Sequence, residues 1–255
     1  MRVVAVISPK GGVGKTTVTA NLAVSLQRLG GKVTVVDLDP QNALRLHFGM
    51  AHDDPLGIAS ENLPNNQWQY ALMESRYGVD FLPYGIVNER QRDRFEQAIK
   101  ANPDWLLMHL NSLGLGETDV VLIDTPPGPG IYLQQVLRIA NIGIVILKPD
   151  AASYSTVPAI ESLIAHYTKD RRDFLGHCYV LNQMDASKQL NRDVFGMLRA
   201  QLGSRFVPSA IHRDEAVSEA LACQSPVSYY AQYSSATHDV QYLSNWIQQN
   251  FGLVD

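Results

Sequence analysis

Residues 8–17 read Ser-Pro-Lys-Gly-Gly-Val-Gly-Lys-Thr-Thr, and they follow directly on the apolar run Val3–Ile7. The run predicts a buried strand, and the pattern from Thr16 onward predicts a helix. A strand that enters a glycine turn and then a helix is the arrangement that holds nucleotide phosphates. A glycine turn without chemistry is the alternative, and the flanking strand and helix argue against it.

The same loop supplies candidate phosphate and metal ligands. Glycines lack Cβ atoms, so successive backbone N–H groups can converge on phosphate oxygens. Lys15 is placed to bind the β- and γ-phosphates, and the Thr16 hydroxyl to coordinate Mg²⁺. The predicted phosphate-binding residues are Gly11, Gly12, Val13, Gly14, Lys15, Thr16 and Thr17. The general pattern G-x-x-x-x-G-K-[ST] is not met strictly, because Pro9 stands at its first glycine position and Lys10 follows.

Composition and charge narrow the class of protein. The chain has 255 residues, of which 45% are hydrophobic, enough for one large α/β domain with a substantial core. The formal net charge of −4 gives no overall basic surface for nucleic acid. Two distant cysteines, Cys178 and Cys223, argue against a metal site built on cysteine and fit a reducing compartment. Without a leader pattern or an apolar run of roughly 20 residues, we expect a cytoplasmic protein.

Apolar, β-branched runs alternate with helical stretches along the chain. The predicted strands are Val3–Ile7, Val33–Val36, Val79–Leu82, Val120–Ile123, Ile142–Leu147 and Tyr179–Leu181. The predicted helices are Thr16–Leu29, Glu89–Ala101, Ile131–Ala140, Val157–Tyr167 and Arg192–Leu202. This alternation predicts an α/β fold, a doubly wound and mostly parallel sheet with helices on both faces, in a single domain over residues 1–255. The less regular segment Ala51–Tyr77 predicts a surface loop with a short helix.

Two carboxylates end the second predicted strand, in the sequence Asp37-Leu38-Asp39-Pro40-Gln41. Side chains two residues apart in an extended chain point the same way, here past the strand end where ligands of such sheets lie. A solvated turn in which Pro40 ends the strand is the alternative. The glycine loop favours a functional role for the pair.

A single aspartate, Asp124, ends the fourth predicted strand and is followed by Thr-Pro-Pro-Gly at residues 125–128. An apolar strand that delivers one aspartate is typical of a Walker B element, which holds Mg²⁺ through its water shell. The alternative is an aspartate that caps the helix from Ile131 onward. The apolar run and the two prolines favour the metal role.

The loop variant, with Lys10 before Gly-Gly-Val-Gly-Lys-Thr, resembles the deviant Walker A motif of the MinD/ParA family of dimeric ATPases. This resemblance spans nearly the whole chain and implies ATP and Mg²⁺ as ligands. It implies that Lys10 is the signature lysine that reaches the phosphates of the partner subunit. In the implied first switch, formed by Asp39, Pro40 and Gln41, Asp39 orients the attacking water and Asp37 supports Mg²⁺ and the phosphate loop.

A second switch and an adenine site are implied by the same resemblance. The second switch contains Pro127 and Gly128, and the backbone near Gly128 senses the γ-phosphate. Asn182 matches the asparagine that binds the base, although an asparagine at a strand end also serves as a turn former. Residues 206–213 resemble the family loop that closes over adenine, with His212 where proline is usual. The predicted adenine-binding residues are Asn182, Ile211 and Arg213.

The C-terminal part of the chain distinguishes branches of this family. The stretch Tyr242–Phe251 is apolar on one side and carries no Lys or Arg, which predicts a helix packed on the core and no basic membrane helix of the MinD kind. After Arg213 the chain contains no Lys or Arg at all. Since phosphate neutralisation drives nonspecific DNA binding, this argues against the DNA binding of partitioning ParA proteins.

The string Ile211–Ala220, with residues 224–227 and Leu44-Arg45-Leu46, resembles the cellulose-biosynthesis branch of MinD/ParA proteins, the BcsQ or YhjQ type. The branch implies an ATP-dependent homodimer that acts with small accessory subunits in assembling or localising the bacterial cellulose synthase complex. Partners would recruit it to the inner membrane or cell pole. The alternatives are a partitioning ATPase and a nucleotide-stabilised scaffold with little hydrolysis. The intact lysines and aspartates of the motifs favour slow, partner-stimulated hydrolysis of ATP.

Overall fold

Within residues 1–61, 63–64 and 67–254, which the computed structural model describes, eight strands form one sheet. The strands are β1 Arg2–Ile7, β2 Val33–Asp37, β3 Met73–Glu74, β4 Val79–Leu82, β5 Val120–Asp124, β6 Ile142–Leu147, β7 Gly176–Met184 and β8 Ile211–His212. Their order is β3-β4-β2-β5-β1-β6-β7-β8. The edge strand β3 pairs antiparallel with β4, and the other neighbouring strands pair in parallel.

The strand order brings the predicted motifs to one edge of the sheet. β5 lies between β1 and β2, so the carboxyl ends of these three strands are adjacent. Asp37 and Asp124 are register partners at the ends of β2 and β5. The phosphate loop follows β1 at the same edge, which is where open parallel sheets bind their ligands.

The sheet is buried on both faces. Alternate side chains of β1 enter two hydrophobic clusters, with Val3, Ala5 and Ile7 in one and Val4 and Val6 in the other. Because neither face of the central strands meets solvent, most positions along them are apolar, which explains the nearly continuous apolar runs in the sequence.

Helices cover the two faces. They are α1 Lys15–Arg28, α2 Leu44–His47, α3 Glu89–Ala101, α4 Trp105–Asn111, α5 Ile131–Ile139, α6 Ala151–Thr168, α7 Gln189–Leu202, α8 Glu215–Ala222, α9 Val227–Tyr230 and α10 Ser235–Phe251. Side chains of α3 to α7 join the cluster of Val3, and those of α1, α2 and α10 join the cluster of Val4. The predicted doubly wound α/β fold is therefore confirmed.

Side-chain caps explain helix boundaries that periodicity alone placed differently. The Asp150 carboxylate accepts the Ser153 N–H at 2.6 Å, so α6 begins at Ala151 and not at the predicted Val157. Its first turns are polar and carry no apolar periodicity, and Pro158 lies inside the helix. The Ser234 hydroxyl accepts the Thr237 N–H at 3.2 Å and starts α10.

The closing helix α10 packs on the core as the sequence predicts. Val240, Leu243 and Ile247 are buried in the cluster that contains α1. The hydroxyls of Ser25 and Ser244 lie 2.7 Å apart across the two helices. Among the residues described, no helix combines the length and the apolar character that crossing a membrane requires.

The irregular segment Ala51–Tyr77 contains a short 3₁₀ helix, Trp68–Tyr70, followed by β3. The short helix agrees with the prediction, but its Trp68 ring is fully buried and packs edge-on against Trp105. Residues 62, 65 and 66 of this predicted loop lie outside the described residues. The segment therefore contributes to the core as well as to the surface.

Candidate functional site

The phosphate loop joins β1 to α1 and borders a cavity of about 300 Å³. Gly12 and Gly14 have φ angles of +69° and +84°, a backbone region that favours glycine. A Cβ on Gly14 would lie 2.3 Å from the side-chain nitrogen of Asn182. The loop therefore requires glycine at this position both for its turn and for the close approach of β7. All the predicted phosphate-binding residues, 11–17, line the cavity.

The Asp124 carboxylate anchors the first turn of α1 through hydrogen bonds. Lys15 Nζ donates to Asp124 Oδ1 at 2.7 Å, and Thr16 Oγ1 donates to Oδ2 at 2.6 Å. Thr19 Oγ1 lies 3.2 Å from the same Oδ1. The structure thus brings the predicted lysine, threonine and aspartate together. Thr19 was not predicted, although its spacing of four residues from Lys15 places both on one helix face.

Asp37 organises the segment between β2 and α2. Its Oδ1 accepts the Asp39 N–H at 2.9 Å, and its Oδ2 accepts the Leu44 N–H at 3.2 Å. Burial, followed by the neighbouring Asp124 charge, raises the pKa of Asp37 well above its usual range. Both carboxylate oxygens are engaged with backbone, and support of a metal by Asp37 stays a prediction.

The other residues of the first switch lie beside the phosphate cavity. Asp39 and Gln41 line it, and Pro40 lies half-buried between them. Asp39 Oδ1 accepts the Gln41 N–H at 3.0 Å. Burial is the largest cause that raises the pKa of Asp39, and the Gln41 hydrogen bond opposes it. A carboxylate of raised pKa is a better proton acceptor than an exposed one.

The second switch contacts the strand and loop that enter the cavity. Pro127 lines the cavity, and the Gly128 N–H donates to the Ser8 carbonyl at 2.9 Å. The Thr125 hydroxyl donates to the Val6 carbonyl at 3.0 Å. One of these bonds reaches β1 and the other reaches the loop that follows it. The second switch is therefore tied to the phosphate loop, and a movement of one is expected to move the other.

Lys10 borders the phosphate cavity but differs from Lys15 in its surroundings. Lys15 is buried and paired with Asp124. Lys10 is partly exposed, and in the described part of the chain no acidic side chain forms a salt bridge with it. An ammonium without a partner at the rim of a phosphate cavity is available to a group outside its own subunit.

A second cavity of about 440 Å³ adjoins the first and shares Gly14 and Thr17 with it. The three residues predicted to bind adenine, Asn182, Ile211 and Arg213, all line it. Asn182 Nδ2 donates to the Val13 carbonyl at 2.8 Å and so joins β7 to the phosphate loop. Binding of adenine by these residues stays a prediction.

Gln183 is a cavity residue that the sequence did not reveal. It lies at an irregularity in the pairing of β7 with β8 and has a φ of +60°, which is uncommon for a residue with a side chain. It lines the base-side cavity next to Asn182. Strained backbone of this kind is found at binding sites, but glutamine in a strand carries no sequence signal for it.

The donors of the two cavities fit a nucleotide with Mg²⁺. The Thr16 hydroxyl and the Asp124 carboxylate are oxygen ligands of the type that Mg²⁺ takes, and they are already in contact. Lys15 adds a cation beside the loop glycines, which leave space for phosphate. Thr16 and Asp124 are the residues that would hold the metal.

The short helix α2, directly after the first switch, buries two basic side chains. Arg45 donates to the carbonyl oxygens of His52 and Asp54, each at 2.9 Å. His47 is buried, and its Nδ1 has no hydrogen-bond partner among the described residues. Burial lowers the pKa of His47 to about 4. Burial in this helix therefore disfavours the charged form of His47, whereas the Arg45 guanidinium is held by backbone carbonyl oxygens.

We expect acid to destabilise the protein through His47. The unfolded chain protonates this imidazole near pH 6.5, but the folded chain does so only near pH 4. The stabilisation is therefore complete above pH 6.5 and is lost as pH falls toward 4, by about 3 kcal/mol in total. In urea unfolding, His47→Leu should lose less stability than wild type between about pH 7 and pH 4.5. The exposed-site variant His52→Gln should behave as wild type, and equal losses in all three proteins would contradict the assignment.

Two solved structures share the fold and were determined with nucleotides. Cobyrinic acid a,c-diamide synthase from Mycobacterium smegmatis, with bound ATP analog and magnesium, matches with a TM-score of 0.78 at 23% identity, over 99% of this chain and 97% of that one. The septum site-determining protein MinD from Pyrococcus horikoshii OT3, complexed with Mg-ADP, matches with a TM-score of 0.75 at 24% identity, over 97% and 96%. The fold is therefore that of the MinD/ParA-type P-loop NTPases.

Sequence comparison narrows this class to one family. The family described as cellulose biosynthesis protein BcsQ matches residues 1–248. The cellulose biosynthesis protein BcsQ of Escherichia coli (strain K12) is 30% identical over 253 residues, which are 98% of this chain and 96% of that protein. The chain belongs to the BcsQ family. The family resemblance noted in the phosphate loop and in the string Ile211–Ala220 is confirmed.

Proposed function

We propose that this protein is an ATPase that works as an ATP-dependent dimer switch in assembling or localising the bacterial cellulose synthase complex. The observation that carries the proposal is the contact of Lys15 and Thr16 with Asp124 beneath the phosphate cavity. Lys10 lies at the rim of that cavity without a salt bridge to any described residue, which supports a site completed by a second subunit. Membership of the BcsQ family and the nucleotides held by two structural neighbours support the biological role and the ligand.

ATP binds to the phosphate loop and to the N-terminus of α1, and Lys15 changes its hydrogen-bond partner when ATP binds. Unpaired N–H groups at the start of α1 and the positive end of its dipole favour phosphate oxygens. Lys15 exchanges the Asp124 carboxylate, 2.7 Å away, for the phosphates. Asp124 and Thr16 would hold Mg²⁺, which would neutralise charge on the phosphates.

Hydrolysis depends on Asp39 and on Lys10 of the partner subunit. Asp39, at the cavity wall, accepts a hydrogen bond from the attacking water and orients its oxygen toward the γ-phosphorus. The water oxygen bonds to the phosphorus and gives a proton to the Asp39 carboxylate, while the bond to the bridging oxygen of ADP breaks and phosphate leaves. The ammonium of the partner's Lys10 stabilises the charge on the transferring group, as an arginine finger does in other NTPases. When phosphate leaves, the partner's Lys10 loses the group that it binds, and the two subunits separate.

Asp39→Ala should separate ATP binding from ATP hydrolysis. Removing an acid–base group costs about 100-fold in rate, whereas the loop, Lys15 and Asp124 remain to bind ATP. Phosphate release should fall by this factor, and chromatography of the nucleotide in the isolated protein should show retained ATP. Asp53→Ala, at an exposed loop position, is the matched control and should hydrolyse ATP as wild type does. Ordinary phosphate release by Asp39→Ala would remove its proposed role.

The cellulose role is tested in cells that lack the native gene. Wild-type protein should restore cellulose production, and Lys15→Ala at equal expression should not. The accessory subunits should co-purify with Asp39→Ala in ATP more than in ADP.

If the protein were instead retained on nonspecific DNA in an ATP-dependent, salt-sensitive manner, the partitioning alternative would be favoured. Binding of partners with no phosphate release in their presence would favour the scaffold.

A further inference from the structure

We infer that His212, held by Asp239, reads position 6 of the purine ring and selects a base with an amino group there over a base with an oxo group. The inference rests on the proposed function, because it names a specificity-determining residue of the same nucleotide cleft. His212 stands at the position where the adenine-closing loop of the wider MinD/ParA family usually has proline.

His212 lies on the wall of the cavity that is predicted to hold the base. It ends β8 and lines the base-side cavity together with Asn182 and Ile211. Ile211 is the register partner of Asn182, and His212 that of Met184. The two adjacent strand ends therefore present Asn182 and His212 to one ligand space, next to the phosphate loop residue Gly14.

Asp239 determines which ring nitrogen of His212 carries the proton. The His212 backbone N–H donates to Asp239 Oδ2 at 2.8 Å, and the ring Nδ1 lies 2.9 Å from the same oxygen. The Asp239 side chain, on α10, is only 14% exposed. A carboxylate accepts hydrogen bonds and donates none, so the neutral ring places its hydrogen on Nδ1. Nε2 is then an acceptor, and no described residue donates to it.

An imidazole acceptor discriminates between purines by their substituent at position 6. An amino group donates a hydrogen bond to Nε2. An oxo group cannot donate, and its oxygen lone pairs repel the lone pair of Nε2. A site that is built to accept a hydrogen bond rejects the analogue that lacks the donor, because its own polar atom is then left without a partner.

The other polar residues of the wall do not supply this preference. Asn182 donates one amide hydrogen to the Val13 carbonyl at 2.8 Å and keeps its second N–H and its Oδ1 acceptor, so it can serve either base. Arg213 is exposed and can only donate, so its guanidinium favours an oxo group. Gln183 carries both a donor and an acceptor and accommodates either base. Two carboxylates of the same wall also accept hydrogen bonds, but Asp214 is occupied by the N–H groups of Ala216 and Ala236, at 3.0 and 3.1 Å, and Glu215 is exposed beside Arg213. Selection of the amino group is therefore assigned to His212.

The test compares ADP with IDP, which differ at position 6 of the base and in the hydrogen that IDP carries on the adjacent N1, and which are not consumed during titration. Calorimetry with the full chain and Mg²⁺, above pH 7.5, should give wild type a preference for ADP of roughly tenfold. His212→Gln, whose amide can turn to suit either base, should bring the ratio to about one. Asp239→Asn can donate to Nδ1 and move the ring proton to Nε2, so it should shift the preference toward IDP. His238→Gln, an exposed histidine beside Asp239 whose Nδ1 contacts the Ser234 carbonyl at 2.9 Å, should keep the wild-type ratio.

The outcomes separate this inference from the proposed function. If wild type binds ADP but does not prefer it to IDP, or if folded His212→Gln and Asp239→Asn keep the wild-type ratio, the inference is wrong and the ATPase proposal stands. If wild type binds neither nucleotide, the proposed function fails and the inference fails with it. Circular dichroism of each variant establishes that the ratio is measured on folded protein.

Discussion

Lys15→Ala is expected to lower the affinity for ATP about 100-fold, because it removes charge-assisted hydrogen bonds to two phosphate groups. Lys15 is the buried cation of the phosphate cavity, and its Nζ lies 2.7 Å from Asp124. Equilibrium binding of a fluorescent ATP analogue measures the loss. Lys32→Ala removes an exposed lysine that is paired with Asp119 at 3.0 Å and should leave affinity unchanged.

The same substitution is expected to destabilise the protein without nucleotide. Asp124 is fully buried, and Asp37 lies beside it as its register partner, so loss of Lys15 leaves two neighbouring carboxyl groups without their cation. Breaking a buried pair by removing one partner costs about 3–5 kcal/mol. Lys15→Gln keeps a donor for Asp124 without the charge and should therefore lose ATP binding with a smaller loss in urea stability. Undiminished ATP affinity in folded Lys15→Gln would contradict the assignment of the phosphate loop.

Lys10→Ala is expected to reduce ATP hydrolysis about 1,000-fold while it leaves ATP binding to the monomer within about threefold, since a cation supplied in trans acts on the transition state. The structure supports this separation because Lys10 borders the cavity without a salt bridge in the described chain, unlike Lys15. Single-turnover hydrolysis and binding at low protein concentration measure the two effects independently.

Lys100→Ala, an exposed lysine on α3, is the matched control for charge and should hydrolyse ATP at the wild-type rate. A Lys10→Ala protein that loses binding and hydrolysis together would show that this lysine serves its own subunit. Unchanged hydrolysis would remove Lys10 from the site altogether.

Local patterns were sufficient to predict the fold and the group of residues that lines the predicted phosphate cavity. The central strands are buried on both faces, so the sequences of β1, β2 and β5 are mostly apolar and rich in β-branched residues. Gly14 is needed both for its φ of +84° and for the approach of Asn182, so the glycine pattern reports on backbone geometry. Asp124 was predictable because a charged residue at the end of such a run requires a partner or a ligand.

Contacts between distant parts of the chain could not be predicted in the same way. The bond between His212 and Asp239 joins residues that are 27 positions apart on a strand and a helix. The strained φ of Gln183 arises from irregular pairing of β7 with β8. Burial of His47 depends on how α2 packs after the switch, and an isolated histidine in the sequence gives no sign of it.

The central claim is that two subunits complete each other's sites, and mixing two inactive variants tests it directly. Lys10→Ala retains Asp39 but lacks the trans lysine, whereas Asp39→Ala retains Lys10. In a mixed dimer, Lys10 of the Asp39→Ala subunit enters the site that still has Asp39. The two proteins are mixed in equal amounts before ATP is added, so that their subunits combine at random.

Phosphate release from this mixture decides between the alternatives. Random pairing makes half of the dimers mixed, each with one complete site, so the expected rate is about a quarter of the wild-type rate. A mixture no more active than the two variants measured separately would contradict a site completed by the second subunit.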